Sequence, residues 1–353
     1  MGYLNCIRML FSLVIILLVL QGGLCPVLAK SHPAADSTGN ELGSIAERAD
    51  AIFSIRSLLI QQGGELLLER YFDGQSPRRA MNTKSASKSI ISLLVGIAID
   101  KGYIEHSDEP IHRYLPEYFA QISDSLKWGI TIEDLLTMRS GLETTSFHNY
   151  GRWVASDDWV AFTLHQPMVD TPGDDMEYST GSSHLLSVII EKTSGISTRA
   201  FAEKYLFNPM DIEPGGWQQD PRGYYFGGNN LALKPRDMMK IGQMVLNGGT
   251  YQGKRIVSKE WLARSFQTYT RSNYNPYDYG YMWWNREVGG EKVFFAWGYG
   301  GQYIFIIPGL DAVMVITSSL QHATQSRRYK EPVFSLLRTG IIPYLKTGQQ
   351  EMD

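Results

Sequence analysis

The chain has 353 residues, 43% hydrophobic and 20% charged, with a formal net charge of −3. That length buries a sizeable core, in one large domain or two ordinary ones. The composition excludes a disordered chain, a collagen and a disulfide-stapled miniprotein. The near-neutral charge speaks against a nucleic-acid binder, which would carry a basic excess.

The first segment reads as an export signal. Arg8 precedes the apolar run Met9 to Leu20, and Val27-Leu28-Ala29 offers cleavage positions. The run falls short of the roughly 20 apolar residues of a membrane-spanning helix, and its layout is that of a secretory signal over residues 1–29. An uncleaved N-terminal anchor is the alternative, and the only membrane contact expected. The expected location is periplasmic or secreted. Cys6 and Cys25, the two cysteines, both fall in this segment. The mature chain would then have no thiol for a nucleophile, a zinc site or an internal disulfide. Residues 30–44 (KSHPAADSTGNELGS) are small, polar and Pro/Gly-bearing, so they read as a linker.

From about residue 45 the pattern turns globular. Ser57 to Gln62 and Glu65 to Phe72 read as two strands about the turn Gly63-Gly64. Ser89 to Asp100 (SIISLLVGIAID) is apolar nearly all round, which predicts a helix buried on most sides and closed by Gly102. The stretch of about 103–225 is mostly helical. In it, Thr131 before Glu133 and Asp134 predicts a capped helix, and Ser182 to Lys192 repeats at helical spacing. Residues 235–247 predict another helix, with Pro235 at its start. Tyr303 to Pro308 and Asp311 to Ser318 are strand-like, and a last helix is predicted near 328–345. Strands at both ends and helices between predict an α+β fold. One antiparallel sheet would be built from about 45–102 and 226–345, with a mostly helical region of 103–225 inserted. Residues 45–345 would form a single domain and 346–353 a tail.

Three features carry chemistry. Ser85-Ala-Ser-Lys88 is the only Ser-x-x-Lys in the chain and leads directly into the buried helix. Three residues apart, serine and lysine share a helix face. A serine hydroxyl needs a base to become a nucleophile, and a buried lysine with a depressed pKa can serve as one. Taken alone, the pattern also fits a capping serine and a solvated lysine. Tyr178, in the loop Pro172 to Gly181, is a candidate proton relay; alone it also fits a packed loop tyrosine. Ala296-Trp297-Gly298-Tyr299-Gly300-Gly301-Gln302 opens the strand that begins at Tyr303. Its glycines allow a ligand close to the backbone, or simply a bend.

In order and context these features resemble the serine β-lactamase-like hydrolases: class C β-lactamases, penicillin-binding DD-peptidases, and the related esterases and nylon-oligomer hydrolases. The resemblance extends to Ile130–Leu142, Asp170–Gly173, Tyr205–Met210, Leu231–Asp237 and Tyr279–Trp284, the last taken as the strand before the Gly-rich one. It implies a β-lactamase/DD-peptidase-like fold with helices flanking the sheet. It makes Ser85 the acylated nucleophile and Lys88 with Tyr178 the joint proton-transfer system. It places the oxyanion hole at the backbone of Ser85 and Gln302, and substrate contacts at Trp297, Tyr299, Gly300 and Gly301. No metal or organic cofactor is implied.

Two departures matter. The tyrosine motif has Thr180 where the family usually has Asn, and Gly298-Tyr299-Gly300-Gly301 lacks the lysine of the family's Lys-Thr-Gly motif. Both favour an ester or amide substrate with no essential carboxylate at that position, over a β-lactam or a D-peptide. A serine esterase or amidase is therefore expected. β-Lactamase or DD-peptidase activity is the alternative, and a silent cell-wall- or partner-binding relative is the alternative of another class. The tryptophans Trp153, Trp159, Trp217, Trp283, Trp284 and Trp297 suit either an apolar acyl pocket or the core. His184 reads as a helix-surface or packing residue.

Overall fold

The computed structural model describes residues 37–320 and 330–350, so the proposed signal and both cysteines lie outside the described residues. Helix α1 spans Ser37–Asp50. Residues 37–44 are therefore helical rather than linker. Their small and polar composition disfavours a helix, but Ile45, Ala46 and Ala49 on the same helix are buried. That burial holds the helix to the body of the protein and carries its weak first turns.

The centre is an eight-stranded antiparallel sheet. Its strands are β1 Ile55–Gln62, β2 Glu65–Tyr71, β3 Thr270–Arg271, β4 Asp278–Tyr279, β5 Trp284–Val288, β6 Glu291–Gly298, β7 Gln302–Ile307 and β8 Ala312–Ser318. Their order is β2-β1-β8-β7-β6-β5-β4-β3. The two ends of the chain meet where β1 pairs with β8, with Leu58 opposite Ile316 and Leu59 opposite Val315. Gly63 and Gly64 take φ of 57° and 82°, the left-handed pair that a two-residue hairpin requires. The block Tyr279–Trp284 is not one strand. It ends β4, reverses with Met282 at φ 60° and starts β5.

Every residue of β7 and β8 is buried, because helices cover both faces. On one face α4, Pro235–Leu246, sets Gly242 against Val313 and Ile304. On the other, α5, Lys330–Leu336, brings Phe334 against the rings of Phe295 and Phe305, centroids 5.6 and 5.7 Å away. Ile304 and Phe305 thus point to opposite helical layers, as the two-residue period of a strand demands.

Helix α2, Ser87–Asp100, is buried from Ser87 to Ala98. It packs between β6 and α3, Thr180–Ser194, where the sheet meets the helical region. The capped helix at Ile132–Leu136 forms as predicted, with Thr131 and Asp134 exchanging reciprocal hydrogen bonds. A short strand pair, Met81–Asn82 with Ala232–Leu233, ties the returning chain to the segment entering α2. No helix among the described residues is long and apolar enough to cross a membrane.

Candidate active site

Ser85 sits in the single turn Lys84–Ala86 that leads into α2. Thr83 anchors that turn, its N–H and its hydroxyl both donating to the Leu231 carbonyl at 2.8 Å. The Lys84 N–H donates to Asn82 Oδ1 at 2.9 Å, and Lys84 takes the left-handed φ of 51°. A lysine in that conformation is held by its surroundings. The turn leaves Ser85 on the floor of a cleft of about 650 Å³.

One helical turn on, Lys88 is only 1% exposed. Its Nζ lies 2.8 Å from the Gly228 carbonyl, 3.3 Å from Thr180 Oγ1 and 3.4 Å from Ser85 Oγ. Burial lowers its pKa to about 7. A neutral Lys88 has two N–H bonds to give Gly228 and Thr180, leaving its lone pair for Ser85. The Thr180 hydroxyl is itself held by Ser146 Oγ at 2.8 Å. Threonine thus supplies a contact to the lysine at the position where the sequence departs from the family.

Tyr178 stands half-buried on the same wall. Its ring lies 5.8 Å from Trp284 in a stacked geometry, and Lys88 Nζ is 5.1 Å from its centroid. Burial pushes its pKa up to about 12, partly offset by a hydrogen bond with Ser85. The phenol therefore keeps its proton at neutral pH. Ser85, Lys88 and Tyr178, separated in sequence, meet at one point.

The Gly-rich segment divides. Trp297 and Tyr299 line the cleft, but Gly300, Gly301 and Gln302 do not. Gly300 and Gly301, at φ of 86° and 102°, lie in the hairpin turn from β6 to β7, and Gln302 is the first residue of β7. The Gln302 side chain is buried and bridges the Ser318 backbone, at 2.8 Å to its carbonyl and 3.1 Å from its N–H. Gln302 pairs with Gly298 across the hairpin. The approach to Ser85 is made one step earlier. A Cβ on Gly298 would fall 2.1 Å from the Thr83 carbonyl, so only glycine lets the end of β6 abut the serine turn.

Among the tryptophans, Trp284 and Trp297 line the cleft, whereas Trp153, Trp159, Trp217 and Trp283 are buried in the core. His184 is fully buried rather than at the surface. Its Nε2 lies 3.0 Å from Asp220 Oδ2, and its Nδ1 accepts from the Gly227 N–H at 3.4 Å. The aromatic rim of Phe147 and Tyr274, ring centroids 4.9 Å apart, left no signal in the sequence, and neither did Lys330. No group of three or more His, Cys, Asp or Glu among the described residues is placed to hold a metal ion.

This sheet, with its Ser-x-x-Lys helix and facing tyrosine, defines a class. A profile of the Beta-lactamase family matches residues 56–333, and the chain belongs to that family. Among curated relatives, the 6-aminohexanoate-dimer hydrolase of Paenarthrobacter ureafaciens is 26% identical over 289 residues, 74% of this chain and 72% of its own length. Esterase EstB of Burkholderia gladioli is 24% identical over 237 residues, 57% of this chain and 60% of its own length. The octameric penicillin-binding protein homologue from Pyrococcus abyssi matches in structure with a TM-score of 0.66 at 20% identity, over 85% of this chain and 77% of that one. Likeness at that identity speaks for the fold alone.

Proposed function

We propose that the protein is a serine hydrolase that cleaves esters or amides through an acyl-enzyme on Ser85. The observation that carries this reading is a buried Lys88 with its Nζ 3.4 Å from Ser85 Oγ on the floor of a cleft. The relatives named as an esterase and a 6-aminohexanoate-dimer hydrolase support it.

Ser85 Oγ attacks the substrate carbonyl and its proton passes to neutral Lys88. The oxyanion is received by the Ser85 N–H and by a backbone N–H at the Gly298-Tyr299 end of β6. Tyr178, protonated at neutral pH, gives its proton to the leaving group and is replenished from Lys88. Water, activated by the same pair, then releases the acyl group. We assign Lys88 as the base and Tyr178 as the acid because burial moves their pKa values in opposite directions. Residues 1–29 would direct the enzyme out of the cytoplasm.

Mass spectrometry after a fluorophosphonate tests the nucleophile. We expect a single adduct on Ser85 in the wild type and none in Ser85→Ala. Lys88→Arg, which cannot surrender its proton, should lower kcat/KM for p-nitrophenyl esters by about 10³-fold or more. If Ser85→Ala hydrolyses these esters as fast as wild type, the reading fails, and a silent binding protein takes its place.

A further inference from the structure

The third motif carries no cation, yet the folded cleft is cationic. Lys84 and Lys330, far apart in sequence, both line it. Lys330 opens α5 and places its Nζ 4.0 Å from the centroid of the Trp297 ring, itself part of the wall. Burial lowers the pKa of both lysines. Neither forms an ion pair among the described residues. No residue lining the cleft is Asp or Glu. The carboxylate of Glu177 accepts a hydrogen bond at 2.8 Å from the hydroxyl of Tyr274, a residue of the wall. The rest of the lining is aromatic, amide or hydroxyl. Two lysines in a cleft whose lining holds no carboxylate draw anions in, and a carboxylate gains charge-assisted hydrogen bonds there.

We propose that the cleft selects acyl donors that carry a carboxylate, and that Lys330, assisted by Lys84, is the specificity-determining cation. This rests on the serine hydrolase reading and revises the expectation of a substrate without a carboxylate. The missing motif lysine is replaced from another part of the chain. Trp297, beneath Lys330, and the Phe147/Tyr274 rim would flank the apolar stem of such a substrate.

The test compares p-nitrophenyl esters of equal length that end in a carboxylate, a methyl group or an ammonium. In wild type the carboxylate ester should exceed the methyl-ended ester about tenfold in kcat/KM, the scale of one charge-assisted contact, with the ammonium ester last. Lys330→Met should bring the carboxylate-to-methyl ratio close to one, and Lys330→Arg should keep it. A binding arm needs no turnover. Glutarate titrated into Ser85→Ala protein should bind, and adding Lys330→Met should weaken it about tenfold. A wild-type ratio of one or less, a ratio unmoved by Lys330→Met, or glutarate binding that is absent or indifferent to Lys330 overturns the proposal. Methyl-ended turnover that depends on Ser85 but shows no carboxylate preference would sink this inference alone. Ester turnover independent of Ser85 would sink the hydrolase reading, and the glutarate arm would still decide the carboxylate site.

Discussion

Lys88 is the residue on which the proposed chemistry turns. An ordinary lysine is neutral in only roughly one molecule in 3,000 at pH 7. Burial brings the pKa of Lys88 to about 7, so near half of the molecules hold the base form at neutral pH. In the proposed mechanism the sign follows directly: the active form is the deprotonated one, and it is lost as pH falls. We expect kcat/KM to decline below about pH 7 with a slope of one, toward a plateau above it. A stopped-assay pH series on a neutral ester measures this. An acid limb near pH 4, the range of a carboxylate, would remove Lys88 from the role. The Ser-x-x-Lys spacing was readable in the sequence, but the depressed pKa was not. It comes from burial, because α3 and the segment at Gly228 close over the side chain from other parts of the chain.

At the scale of elements, the piece that matters is the junction between α3 and the segment 218–231. Asp220 Oδ1 accepts the N–H groups of Arg222 and Tyr224 at 2.8 and 2.9 Å, while Oδ2 meets His184. His184 in turn receives the Gly227 N–H, one residue before the carbonyl that holds Lys88. Both side chains of the pair are fully buried. Removing one member leaves the other without its partner in the core. Asp220→Ala should destabilise the fold by about 3 kcal/mol. It should also lower ester turnover, because the Gly228 carbonyl loses its support. Urea melts with a parallel kcat measurement check this; a change below about 1 kcal/mol, within the range of a surface substitution, would reduce the pair to simple packing. The helical run from Ser182 to Lys192 was legible as amphipathic spacing, but a histidine aimed at an aspartate 36 positions away leaves no periodic trace.

At the scale of the molecule, the sheet joins the two ends of the chain, and the cleft inherits parts of both. The serine turn comes from residues near 85, the tyrosine from the helical region, Trp297 from β6 and Lys330 from α5. Phe334 is the bolt of that last helix, 1% exposed among Tyr277, Phe295, Tyr303 and Phe305. Phe334→Ala should cost about 3–5 kcal/mol by leaving a cavity against the sheet. The same variant should blunt the carboxylate preference, since Lys330 lies one helical turn away. Thermal melting and the ester ratio together check it. A stable variant with its preference intact would uncouple α5 from the cleft.

The sequence by itself determined what is local. The unique Ser-x-x-Lys before an apolar helix, the Gly63-Gly64 hairpin, the Thr131 cap and the α+β order all follow from spacings of a few residues, where backbone geometry decides which side chains meet. It misread residues 37–44, where weak propensity is overridden by the burial of Ile45 and Ala49. It grouped Gln302 with the site, whereas the folded chain uses its side chain to bridge the Ser318 backbone. Only the tertiary structure decided the electrostatics. A depressed lysine pKa, a buried His184–Asp220 pair and a cationic wall without carboxylates are properties of distance through space, set by segments tens to hundreds of residues apart. The net charge of −3 is spread over the whole chain; the charge that lines the cleft is local, and it comes from Lys84 and Lys330.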